Sequence, residues 1–181
     1  MKIGLLISSN KVSIHQYNLI KGLLANDIEV SLININAKDT EFSLIEKLKY
    51  LIKYHGIYGL LSKFYFTLQS RLELKLLKHL INDADYFRSF QLNNFNFESV
   101  IDVKGNYSKS GLLLRLSDDD IKKVKAANLD ALLRINTPGI FKGKILKSSK
   151  LGILSFHHGD NRWNRGGPPA FWELYFKKPS T

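Results

Sequence analysis

The first 35 residues switch twice between two hydrophobic periods. Ile3-Gly4-Leu5-Leu6-Ile7 is an unbroken apolar run that opens onto Ser8-Ser9-Asn10. That is the pattern of a buried parallel strand delivering a polar loop at its C-terminal end. From Ser13 the period becomes helical, with Ile14, Tyr17, Ile20, Leu23 and Leu24 on one face. Asn26-Asp27 stops this helix, and Glu29 to Ile35 predicts a second strand. Strand, helix, strand is the opening of a doubly wound α/β domain.

The alternation then pauses. From Thr40 to about Ile81 leucines, isoleucines and tyrosines recur at helical spacing among lysines, interrupted at Gly56 and Gly59. This predicts a helical insertion over 40–81, after the second strand, that buries one face against the sheet. Its aromatics (Tyr50, Tyr54, Tyr58, Phe64, Tyr65, Phe66) stand beside Lys53, Lys63, Arg71 and Lys75, so a membrane-surface helix or a cover over an anionic ligand are the alternatives. Residues 82–107 read as irregular, with Asn93-Asn94, Asn96 and Gly105-Asn106 as turn signals and a short strand at Glu98 to Val103.

Regularity returns at Ser117, where three successive aspartates follow a capping hydroxyl and predict a helix to Ala127, ended by Asn128. Leu129 to Ile135 is another buried strand, and Ile140 to Lys147 reads as a short helix. Leu151 to Phe156 is a further strand, and a last helix begins at Pro168 or Pro169 and runs through Phe176. The fold class that follows is a Rossmann-like α/β domain: an open, mostly parallel sheet with flanking helices, in a single domain over 1–181.

Composition narrows the chemistry. There is no cysteine, which excludes disulfides, a thiolate nucleophile and a cysteine zinc site, and fits a cytoplasmic location. No apolar stretch reaches the length of a membrane-spanning helix, and Ile3 to Ile7 with no cleavage site after it does not read as a signal peptide. The net charge of +11 admits nucleic acid, an anionic membrane surface or an anionic small ligand as partner. Much of the excess is scattered lysine, the ordinary solvent-facing residue.

Open parallel sheets bind ligands outside the C-terminal ends of their strands. Three predicted strand ends are polar: Ser8-Ser9-Asn10, Asn136-Thr137, and Ser155 with His157-His158. The third is the densest, adding Gly159, Asp160, Asn161, Arg162 and Arg165-Gly166-Gly167 before Pro168-Pro169. On a strand, residues 155 and 157 point to one side, so Ser155 and His157 converge. His157, His158 and Asp160 also contain metal-ligand chemistry, but adjacent histidines of a strand diverge and no metal is predicted. Trp163 and Trp172 read as packing residues, and Ser8, Ser9 and Asn10 as a turn and cap or as contacts to a substrate.

This segment resembles the formyltransferases that act on methionyl-tRNA, glycinamide ribonucleotide and nucleotide sugars, which share a strand ending in Asn-x-His, an Arg-Gly near the end of the following loop, then a proline and a helix. Ser155-Phe156-His157 stands in the Asn-x-His place, Arg165-Gly166 in the Arg-Gly place and Pro169 at the helix start. Ala127 to Arg134 resembles the family's preceding strand and Ile140 to Lys147 its short helix. The resemblance is specific over 115–181, extends to fold level over 1–36, and is not visible between 37 and 110.

The resemblance implies formyl transfer from 10-formyltetrahydrofolate to an amine. Attack on the formyl carbon develops an oxyanion, which needs an aimed donor and a group to manage the amine proton. His157 takes that second part, with a ring that titrates near neutral pH. Ser155 replaces an amide with a shorter hydroxyl, and loss of one such donor costs on the order of 3 kcal/mol. His158, Gly159, Asp160, Arg165 and Gly166 are the implied cofactor contacts, and Ser8, Ser9 and Asn10 the acceptor contacts. An amino sugar, nucleotide-linked, is the favoured acceptor, with tRNA as an alternative. The family's third catalytic group is an aspartate on a later loop, expected beyond Thr181, so the domain is read as incomplete at its C-terminus and its activity as conditional on that loop. Two other classes stay open: a ligand-binding or interaction domain of the same fold without the chemistry, and a basic RNA-binding module.

Overall fold

The computed structural model describes residues 1–38, 44–81, 88–108, 112–156 and 176–177. The first apolar run forms β1 (Lys2–Ile7), followed by a two-residue strand β2 (Lys11–Val12) and by α1 (Ile14–Ala25). Ser13 begins α1 with a capping box: its hydroxyl accepts from the Gln16 amide, and the Gln16 side chain accepts from the Ser13 amide at 3.0 Å. Asn26 caps its C-terminus, and Asp27 turns the chain at φ 54° into β3 (Glu29–Lys38). After α2 (Leu44–Leu80) come β4 (Phe90–Gln91), a short 3-10 turn at Leu92–Asn94, and β5 (Ser99–Tyr107). The rest is β6 (Leu113–Leu116), α3 (Asp118–Ala126), β7 (Ala131–Arg134), β8 (Ile140–Phe141), a 3-10 turn at Lys144–Lys147 and β9 (Ile153–Ser155).

These strands form a seven-stranded sheet in the order β8-β6-β5-β3-β1-β7-β9, while β2 pairs with β4. The five strands from β5 to β9 in that order are parallel; β6 runs antiparallel to β5, and β8 parallel to β6. The sheet is therefore mostly parallel, with a Rossmann-like α/β topology. The chain leaves β1 on one side for β3 and β5, then returns to its other side for β7 and β9. The crevice between β1 and β7 is thus the topological switch point, where such sheets bind ligands.

Each face of the sheet is covered. On one, Leu6, Ile33, Val103 and Leu132 pack with Ile121 and Val124 of α3 and with Ile145. On the other, Leu5, Ile7, Val30 and Leu133 pack with Ile20 of α1, joined by Tyr17, Leu23 and Leu24. Side chains buried on both faces explain why β1 reads as an unbroken apolar run. Gly22, on the outer side of α1, has open space where a Cβ would stand. Gly22→Ala is therefore expected to stabilise the chain by about 0.5–1 kcal/mol, read as a higher urea midpoint.

Three expectations change. Gly105-Asn106 lies inside β5 instead of in a turn, because this strand is held on both sides: Gly105 is in register with Ala37 of β3 and with Leu116 of β6. Tertiary pairing there outweighs local turn preference. Residues 140–147 are not one helix: Ile140 and Phe141 pair with Leu113 and Leu114 of β6, and Gly143 at φ 94° separates them from the 3-10 turn.

The third change concerns α2. Helix forms over Leu44–Leu80 as expected, broken only at Gly56 (φ 64°, ψ −177°), and Gly59 does not interrupt it. It does not bury a face against the sheet over 57–80, where Leu61, Phe64 and Leu72 are 57%, 70% and 56% exposed. The physical reason lies in the two cores: α1 and α3 already cover the faces, and among the described residues neither core cluster contains one from 57–80. The helix expected from Pro168 or Pro169 falls outside the described residues.

Candidate functional site

At the switch point the sequence builds a cavity of about 650 Å³. Its walls come from three places. The first turn of α1 supplies Ser13, His15 and Gln16, with Leu19 one turn on; the end of β7 supplies Arg134, Ile135 and Thr137; the end of β9 supplies Ser155 and Phe156. The polar residues are fixed by one another. Gln16, besides closing the capping box, donates from Nε2 to the Ile135 carbonyl at 2.8 Å, which ties the helix start to the end of β7. Arg134 donates from Nε to the Thr137 carbonyl at 2.9 Å, and the buried Thr137 hydroxyl donates to the Leu6 carbonyl at 3.3 Å.

Register sets the height of the two groups nearest the expected chemistry. Arg134 and Ser155 are register partners across β7 and β9, with Leu6 of β1 next in the row, so both stand at one level at the C-terminal ends of their strands. The Ser155 hydroxyl is exposed, and its one contact described here, a donation to its neighbour's Phe156 carbonyl, is long at 3.4 Å. Electrostatically the lining favours an anion: the first turn of α1 and the cationic Arg134 line the cavity, and no carboxylate is among the described lining residues.

No protein-family model matches the chain, and no curated protein or solved structure matches it either. The fold and the cavity therefore carry the functional argument themselves.

The residues singled out in the sequence divide into three sets. Ser155 lines the cavity. Ser8, Ser9 and Asn10 are not among its lining residues, and the two serine side chains and the backbone hold the loop. The Ser8 amide donates to Asn136 Oδ1 at 2.9 Å and the Ser8 hydroxyl to the Asn136 carbonyl at 3.1 Å. Asn136 Nδ2 returns a bond to the Ser9 carbonyl at 2.8 Å, Ser9 Oγ accepts from the Lys11 amide, and the Asn10 carbonyl accepts from the Leu92 amide. Two of the three polar strand ends are thus one cross-linked unit. His157, His158, Gly159, Asp160, Arg165 and Gly166 lie outside the described residues, as do Trp163 and Trp172. Among the described residues no three histidine or acidic side chains gather to hold a metal ion.

Sequence reading missed His15, Gln16 and Arg134 as cavity residues. Gln16 announces itself in sequence only as the fourth residue of a capping box, and its link to Ile135 spans 119 positions. The strand order brings these residues together, and no local pattern encodes it.

Proposed function

We propose that this chain binds 10-formyltetrahydrofolate at the switch-point cavity and transfers its formyl group to an amine. The observation that carries the reading is Ser155: the residue at the head of the formyltransferase-like segment is on the wall of the one place where this topology binds ligands.

The residues present fit the cofactor. About 650 Å³ falls within the roughly 300–1,000 Å³ of sites for ligands of this size. Leu19, Ile135 and Phe156 offer apolar walls to its rings, and Arg134 with the start of α1 suits its carboxylates or a phosphate of the acceptor. The cofactor supplies an activated formyl carbon. The Ser155 hydroxyl donates a hydrogen bond to the formyl oxygen, and His157, two positions further along, manages the amine proton. His158, Gly159, Asp160, Arg165 and Gly166 are the cofactor contacts that the resemblance implies. A nucleotide-linked amino sugar is the favoured acceptor, with tRNA as the alternative, and the absence of cysteine supports a cytoplasmic setting.

Titration of the purified chain with a stable 10-formyl folate analogue, followed by calorimetry, tests the reading. Saturable binding is expected, weakened about 10- to 100-fold in Arg134→Ala through loss of a charge-assisted hydrogen bond. No binding at millimolar analogue would sink it. Binding without transfer to any amine, unchanged by His157→Ala, would leave a folate-binding domain in place of a transferase.

A further inference from the structure

Residues 57–80 of α2 present an apolar stripe to solvent. At about 100° per residue, Ile57, Leu61, Phe64, Leu68, Leu72 and Leu76 fall within about a third of the helix circumference, and each is between 49% and 70% exposed. Tyr58 and Tyr65 stand at one edge of the stripe, 88% and 68% exposed. The same segment carries Lys63, Arg71, Lys75 and Lys78 against the single acid Glu73, a formal +3 from four cations less one acid. Arg71 and Lys78 flank the other edge, while Lys75 enters the stripe in its last turns. Glu73 accepts a hydrogen bond from Gln69 at 2.8 Å within the helix.

Two occupants fit this surface poorly. A second copy packed along the stripe would use the seam Ile57, Leu61, Phe64, Leu68, whose next positions at the same spacing are Arg71 and Lys75, so like charges would face each other across the pair. A transmembrane span is ruled out for the described residues, where no helix is long and apolar enough. An anionic surface meets both requirements at once, taking apolar side chains at the acyl boundary and lysine and arginine heads at the phosphates.

We propose that residues 57–80 of α2 form an interfacial helix that docks this chain on an anionic lipid bilayer. The stripe enters the headgroup and acyl boundary, the cations rest on lipid phosphates, and Gly56 ends the helical run ahead of the docked segment. The inference rests on the surface of α2 alone and is independent of what the switch-point cavity binds.

Co-sedimentation of the full chain with phosphatidylcholine vesicles, with and without phosphatidylglycerol, decides it. Binding is expected with the phosphatidylglycerol vesicles only, falling as salt rises. Leu68→Asp with Leu72→Asp should abolish it. Arg71→Glu with Lys75→Glu should weaken it by roughly 100-fold or more, each side chain contributing near the surface. All six residues of the stripe are exposed, so these variants keep the fold, checked by circular dichroism. A chain that stays in solution with both vesicle types overturns the proposal, as do variants that sediment like the parent. A dimer in sedimentation equilibrium without lipid, dispersed by Leu68→Asp with Leu72→Asp while no vesicle binds, would assign the stripe to a second copy instead.

Discussion

Gly4→Val is expected to destabilise the chain by about 3 kcal/mol, through overpacking at the centre of the sheet. A Cβ at this position would stand 2.7 Å from methyl carbons of Leu129 and Leu132 and 2.8 Å from one of Ile33. All three neighbours are essentially fully buried, and they belong to the core on the α3 face. None can swing into solvent, so relief requires β1 to shift against both β3 and β7. A urea titration reads the effect as a fall in midpoint with little change in slope. A midpoint equal to that of the parent would show that this core has slack the structure does not contain.

Asp120→Ala is expected to cost about 2–3 kcal/mol at neutral pH, because a buried carboxylate there serves three partners. It accepts from the Lys104 amide of β5 at 3.2 Å, from the Ser117 hydroxyl at 2.8 Å and from Lys123 Nζ at 2.7 Å. Burial alone raises the pKa of this carboxyl, but the hydrogen bonds from Lys123, Ser117 and the Lys104 amide outweigh it and hold the group below the usual carboxylate range. Lys123 is half exposed and contributes least through charge; the stranded Lys104 amide and the loosened start of α3 make up the main loss. The sign of the pH dependence follows. With the folded-state pKa depressed, the contribution is fully present above the unfolded value of about 4 and disappears as pH falls through the folded one. The difference in urea midpoint between parent and Asp120→Ala should therefore be large at pH near 7 and shrink in acid below about pH 4. A gap that stays constant with pH would remove the ionised carboxylate from the account.

What the sequence made legible, and what it hid, divides along the range of the forces. Ser13 with Gln16 and Ser117 with its aspartates mark helix starts through contacts made within four residues, and both helices begin there. β1 and β7 are continuous apolar runs because they are buried on both faces. By contrast β6 and β8 exist through their pairing: Leu113 and Leu114 have Ile140 and Phe141 as partners, and neither segment has a period long enough to read. Gly105 sits in a strand for the same reason. The exposure of α2 was hidden because its apolar residues do recur at helical spacing, and spacing alone does not reveal that α1 and α3 have already filled both faces of the sheet. At the cavity, Ser155 was visible as part of a dense polar strand end. Arg134 looked like the end of a buried strand, and only its register with Ser155 brings it into the site.

β9 is the outermost strand of the described sheet on its side and is only three residues long, held by register pairs to β7 alone. The opposite wall, the start of α1, is anchored to the core through Ile20 and to the end of β7 through Gln16. Among the described residues, one side of the cavity is therefore tied to the core and the other to β7 alone. Hydrogen exchange at such an edge proceeds by local opening with a free energy far below that of global unfolding. A ligand seated between the two walls would be felt first as slowed exchange at Leu154 and Ser155, while amides deep in β1 and β3 would register only the stability of the whole domain.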